Sequence, residues 1–582
     1  MYRTHSRFVE ECRKLASGVP GLLDRERLHK IFELEWSYRM AENPMSATYE
    51  GYPGYNHVWP NLSIDNIERH KTDWRHWRSA LATVDPGQLT PEDKLSYDLF
   101  EYYLNDGFEG ARFPAELLAI SQMDGVHHWV PDILNIMPLS TDSQRDDILN
   151  RLDKVPALID QVITLLGEGI KRQITHPGPV IADTSQQIKN LLTENPADSP
   201  ILAVLKKLPT ATEPAVREKL TRQAESLYIG KVKPSFERLL NYVAHTYLPA
   251  CRKSIGLSEL PDGRAWYEHL VRSFTTTQFS PDDIFAIGED EVARIRSEMD
   301  KVIASSGFKG NFEQFTEFLR TDPQFYFDKK EDLVKEYRDI SKRADPELAS
   351  LFGRLPALPY GVAVIPSYAE KSQTTAFYQP GSPDAGRPGY YYVNTYDLGS
   401  RPKWEMEALT LHEAVPGHHL QIALSQELTD LPQFRARGWI TAYGEGWALY
   451  AESLGEQMGF YTNPYSKFGQ LTYEMWRAIR LVVDTGMHWK GWTRQQAIDY
   501  MMANSGKTGH DVQVEIDRYI VWPGQSLAYK IGELKIKELR RHAEEALGDK
   551  MSLRDFHDQL LCHGSMPLSV LEKRLKAWVA EK

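Results

Sequence analysis

Apolar and polar positions along this chain recur mostly with the period of amphipathic helices. Long segments of this kind cover about 143–173, 212–245, 281–304 and 327–344. Thr90-Pro91-Glu92-Asp93 and Ser280-Pro281-Asp282-Asp283 each set a capping residue before proline and acids, a helix-start pattern. Thr493 to Gln496 reads as a capping box. A further helix, about 440–458, carries Tyr443, Trp447, Leu449 and Tyr450, so its surroundings are expected to be apolar. Trp476 to Val482 also reads as buried helix, and Pro523 suits the first turn of another. Loops fall at 42–60 and 176–181, where Gly and Pro cluster.

Region 359–398 breaks the pattern. Val362–Ile365 and Tyr390–Val393 are short β-like runs on either side of a Gly/Pro-rich turn, Gln379 to Gly389. The expectation is a mainly α fold with one small sheet. Its 582 residues exceed what one core usually holds, so two lobes are expected, 1–260 and 261–582, packed as one unit.

Composition narrows the classes. A hydrophobic content of 42% and a charged content of 25% are those of a globular protein. A net charge of −12 argues against nucleic acid or an anionic membrane as the main partner. Three separated cysteines, Cys12, Cys251 and Cys562, form neither a disulfide framework nor a thiolate metal site. No run is long and apolar enough to span a bilayer, and the first residues lack a signal-peptide pattern. A cytoplasmic location is therefore expected.

The candidate chemistry lies in His412-Glu413-Ala-Val-Pro416-Gly417-His418-His419 and, one helix later, in Tyr443-Gly-Glu445 to Glu452. Two imidazoles and a carboxylate can hold zinc and leave a position for water, with a second carboxylate nearby as base. The usual spacing places the second histidine four residues after the first. Here that position is Pro416. In a regular helix His419 would share a face with His412, but about 10.5 Å along the axis, and His418 would point elsewhere. Pro416 and Gly417 argue against a regular helix. A widened, π-type turn would bring His418 to the ligand position; His419 is the alternative. Glu445 and Glu452 share a helix stripe, so Glu452 could support a ligating histidine while Glu445 reaches the metal. Both could instead lie on a solvated face, but their large apolar neighbours favour burial, and buried carboxylates need partners.

The segments His412–Gln421, Tyr443–Glu452, Arg477–His488 and Arg518–Lys530 resemble the bacterial DUF885 family, whose pattern is His-Glu-x-x-Pro-Gly-His. That family is similar in architecture to the mostly helical zinc peptidases of the thimet-oligopeptidase and carboxypeptidase Taq kind. The resemblance implies a multi-helical metallopeptidase-like fold enclosing a cleft, with one zinc or other divalent metal per chain. It also implies that Glu445 is the third ligand and Glu413 the general base.

Other residues could assist. His488, Tyr519 and Tyr529 are candidates to support a developing oxyanion, with Tyr519 also a substrate contact. Asp484 and His419 could serve behind the ligands. Arg480 could clamp a substrate carboxylate, whereas Arg477 more simply balances local acids. Tyr392 and Asn394 are either contacts to a peptide added as a strand or parts of a structural hairpin. Three functions follow: a zinc metallopeptidase acting on short peptides, a metal-dependent esterase or amidase, or an inactive metal- or peptide-binding protein. Glu413 favours an enzyme, because a binding protein needs no carboxylate beside the first ligand.

Overall fold

The computed structural model describes residues 2–17, 21–366, 370, 374–383 and 386–582. The expected class holds: the chain is mainly α-helical, with one three-stranded sheet among the described residues. It divides into two compact units, Met1–Ile255 with Glu259–Asp262, and Gly256–Ser258 with Gly263–Lys582.

In the first unit, Thr141 caps the Asp142–Lys171 helix, and Gln144 closes the capping box. Its buried face (Ile148, Leu152, Val155, Ile159, Val162 and Leu166) follows the helical repeat. The segment expected at 212–245 is helical from Pro214 onwards but carries two π turns, Tyr228–Val232 and Val243–Tyr247.

The second unit is built on helix pairs. Ser280 caps, as expected, the Pro281–Ser305 helix, which packs along Pro464–His488. The latter is buried almost all round, as its apolar sequence requires. Thr441–Ser453 crosses Ala528–Leu547 very closely: a Cβ on Gly446 would meet the Gly532 Cα at 2.5 Å. Pro523 lies outside the helix expected there. It precedes a left-handed Gly524 and a short 3₁₀ turn, and the α-helix begins only at Ala528.

The sheet departs from the expected pairing. β1 (Tyr360–Val364) runs parallel to β3 (Gly389–Val393). The antiparallel partner of β3 is a strand the sequence reading missed, β2 (Ala376–Gln379). β3 is thus the middle strand, and both of its backbone edges are paired. A peptide cannot add to it, so Tyr392 and Asn394 lose the role of strand-addition contacts. Tyr392 stacks on Phe377 with ring centroids 5.2 Å apart. Asn394 is buried and holds a loop, donating to the carbonyls of Glu370 and Thr374 and accepting from the Tyr396 N–H. Tyr391 turns inward, its hydroxyl 3.5 Å from that of Thr410, and so seats the sheet on the Met406–Glu413 helix.

Candidate metal centre

His412 lies in the last turn of the Met406–Glu413 helix. The chain then breaks completely at Ala414–Gly417, with a cis Val415–Pro416 bond, and a new helix, His418–Gln426, starts at once. The expected widened turn is therefore corrected to a gap between two helices. Pro416 has no N–H to continue the first helix, and its ring cannot fit inside one. Gly417 passes so close to that helix's end that a Cβ would lie 1.9 Å from the His412 carbonyl oxygen and 2.5 Å from that of Leu411. Trp447 fixes the break from the neighbouring helix, its indole N–H donating to the Pro416 carbonyl at 2.9 Å.

This geometry folds His418 back onto His412, with ring centroids 4.8 Å apart and ring planes nearly perpendicular. Glu445, on the Thr441–Ser453 helix, points between them. Its Oε2 is 3.3 Å from His418 Nε2 and 3.7 Å from His412 Nε2. One donor atom from each of the three residues lies within 4.8 Å of the other two. Glu452, fully buried two turns along, accepts a hydrogen bond from His412 Nδ1 at 2.8 Å. That bond directs Nε2 towards Glu445, as a carboxylate behind a ligating histidine does.

Burial opposes a charge on His412, yet the nearby Glu445 carboxylate and the hydrogen bond to Glu452 outweigh it and push the ring up to about 9. Burial likewise opposes a charged Glu445, but the charge of His418 and the closeness of both imidazoles hold its carboxyl well below the usual range. The Glu445 Oε2 and His418 Nδ1 atoms are buried without a hydrogen-bond partner among the described residues. An orphaned carboxylate oxygen facing two imidazole nitrogens is a donor set that suits zinc. Glu413, beside His412, is half-buried, and no hydrogen bond ties its carboxylate to another described residue.

His419, the alternative ligand, faces the sheet. Its Nδ1 is 2.9 Å from the Tyr378 hydroxyl, its ring packs on Tyr360, and burial pushes it down to about 4.

Three further expectations, for His488, Asp484 and Tyr519, are corrected. His488 is fully buried: its Nδ1 accepts from the Leu257 N–H at 2.9 Å and its Nε2 donates to the Tyr519 carbonyl at 2.9 Å. With both nitrogens engaged, it cannot support an oxyanion. Asp484 accepts from the Tyr267 and Ser526 hydroxyls and the Gly524 N–H, so it pins a chain corner rather than a ligand. Tyr519 and Arg480 form a buried group in which the Tyr519 hydroxyl donates to Glu515 at 2.6 Å and accepts from Arg480 Nε at 2.8 Å. The Tyr519 hydroxyl is thus taken up, whereas Arg480 Nη1 has no hydrogen-bond partner among the described residues. The Tyr529 hydroxyl accepts from Arg518 at 3.2 Å, and no hydrogen bond or ring contact among the described residues joins it to the three donors. Arg477 lies 3.6 Å from Glu452, balancing an acid as expected.

One neighbour escaped the sequence reading. Trp439, in the turn before the Glu445 helix, packs against His418. Its signal was an aromatic residue just ahead of a Gly-rich, carboxylate-bearing helix.

Fold and site together define a mainly helical protein with a His-His-Glu cluster, its histidines buried and its glutamate half-buried, built across a helix break. The chain belongs to the DUF885 family, described as bacterial protein of unknown function, which matches residues 44–575. It is similar to the crystal structure of a candidate lipoprotein from Colwellia psychrerythraea, at 27% identity and TM-score 0.91, over 96% of this chain and 100% of that one. A candidate lipoprotein of unknown function from Shewanella oneidensis shares the fold, at 17% identity and TM-score 0.72, over 94% and 99% of the two chains. No curated protein matches. The expected cytoplasmic location is overturned, since these similar structures are of candidate lipoproteins. No helix among the described residues is long and apolar enough to cross a membrane.

Proposed function

We propose that this protein is a zinc-dependent metallopeptidase acting on short peptides. The observation that carries the reading is the convergence of His412 Nε2 and His418 Nε2 on Oε2 of Glu445, beside the Glu413 carboxylate, which no hydrogen bond ties to another described residue. A zinc ion held by these three residues would supply Lewis acidity and a water of lowered pKa. Glu413 then serves as the proton carrier, taking a proton from the attacking water and passing it to the leaving amine. Glu452 positions His412 through its Nδ1 and keeps the other nitrogen free to bind. The resemblance to helical zinc peptidases supports a peptide as substrate. The likeness to candidate lipoproteins supports a site of action outside the cytoplasm.

Glu413→Gln is the direct test. Retained zinc with turnover of a peptide library reduced by on the order of 10²–10⁴-fold supports the reading. Turnover at the wild-type rate overturns it.

A further inference from the structure

The chain has 14 tryptophans, and all but one are buried or half-buried. The exception is Trp439, 45% exposed, and it stands at the candidate metal centre. Its ring centroid is 5.9 Å from that of His418, at an interplanar angle of 52°. Its six-membered ring lies against the Cα of Gly444, the residue before Glu445. A Cβ there would meet the Trp439 Cη2, Cζ3 and Cζ2 atoms at 2.2, 2.5 and 2.7 Å. Only glycine lets the indole lie so close to that helix. The adjoining backbone is also held, since the Ile440 N–H donates to Ser565 Oγ at 3.0 Å. The indole is thus fixed against His418 and the backbone just before Glu445 while much of its surface faces water.

An exposed indole gains when another apolar group covers it. Seated beside the ligands, it would meet a substrate side chain close to the reacting bond. We infer that Trp439 forms the wall of a side-chain subsite, so that the preferred peptides carry an aromatic or large aliphatic residue next to the cleaved bond. This rests on the zinc-site reading above. The alternative, an indole that only shapes the turn before the Glu445 helix, gives no such preference.

Hydroxamates bind zinc directly and can carry an amino-acid side chain, so binding can be read without turnover. Calorimetric titration of the zinc-loaded protein with glycine hydroxamate and phenylalanine hydroxamate should show the phenylalanine probe binding on the order of tenfold more tightly. Trp439→Ala should bring the two within about twofold, and Trp439→Phe should keep part of the difference, with zinc content as the folding control. Equal binding of the two probes by the wild type overturns the inference alone. So does a preference that survives in a zinc-loaded Trp439→Ala protein. Binding of neither probe by the wild type overturns the zinc-site reading, and the inference with it.

Discussion

Gly417→Ala tests the helix break most severely. The added Cβ would stand 1.9 Å from the His412 carbonyl oxygen, where contacts under 3.0 Å are essentially never seen, so about 1 Å or more of backbone movement is required. The obstructing atoms are main-chain, and neither side has a flexible tip to yield. The first helix is held through Thr410 against Tyr391 of β3, and the break through Pro416 against Trp447. The displacement therefore falls on His418, the next residue. Metal–ligand distances tolerate only about ±0.2 Å, so zinc affinity should fall by on the order of 10²-fold or more. Overpacking of this kind costs about 1–3 kcal/mol, so the melting temperature should drop by several degrees. Competition titration against a chromophoric chelator reads the first quantity and thermal melting the second. Wild-type values for both would refute this reading of the break.

Glu452→Ala should lower zinc affinity by about 10–100-fold, because His412 loses the acceptor that orients it; unchanged affinity in the same titration would remove Glu452 from the site. His488→Ala leaves the Leu257 N–H and Tyr519 carbonyl buried and unpaired. It should cost roughly 2–4 kcal/mol in urea melts while sparing zinc content; a stable variant that loses activity alone would restore a catalytic role. His557 is held between the Tyr450 hydroxyl and the Leu351 carbonyl, and burial pushes it down to about 3. The unfolded chain therefore takes up a proton that the folded one refuses. Stability from this group is complete above the ordinary histidine range and is lost as pH falls towards 3. His557→Phe should flatten that acid limb in melts between pH 6.5 and 4, and an unchanged limb would argue against it.

Much of the fold was legible because its signals are local. Thr90, Ser280 and Thr493 cap helices where their sequences indicate, and the stripe joining Glu445 to Glu452 needs only helical spacing. The two histidines could be paired from Pro416 and Gly417, although the break they create is sharper than a widened turn. β2 stayed hidden because Ala376–Gln379 is short and carries no alternating pattern. The misassigned helpers share one cause. His488, Asp484 and Tyr519 are polar residues in apolar stretches, which is how both catalytic groups and satisfied structural groups look in sequence. Only their partners separate the two, and those come from distant segments: Leu257 for His488, and Tyr267 and Gly524 for Asp484. Trp439 was missed for the opposite reason, since exposure leaves no mark in sequence.

The most direct test of the central claim is the metal content of the purified protein after zinc loading, by mass spectrometry. Wild type should be compared with His418→Ala, Glu445→Ala and His419→Ala. One zinc per chain in the wild type and in His419→Ala, lost in the other two, is the expected result. No stoichiometric zinc in the wild type, or zinc lost only with His419, would contradict the site described here.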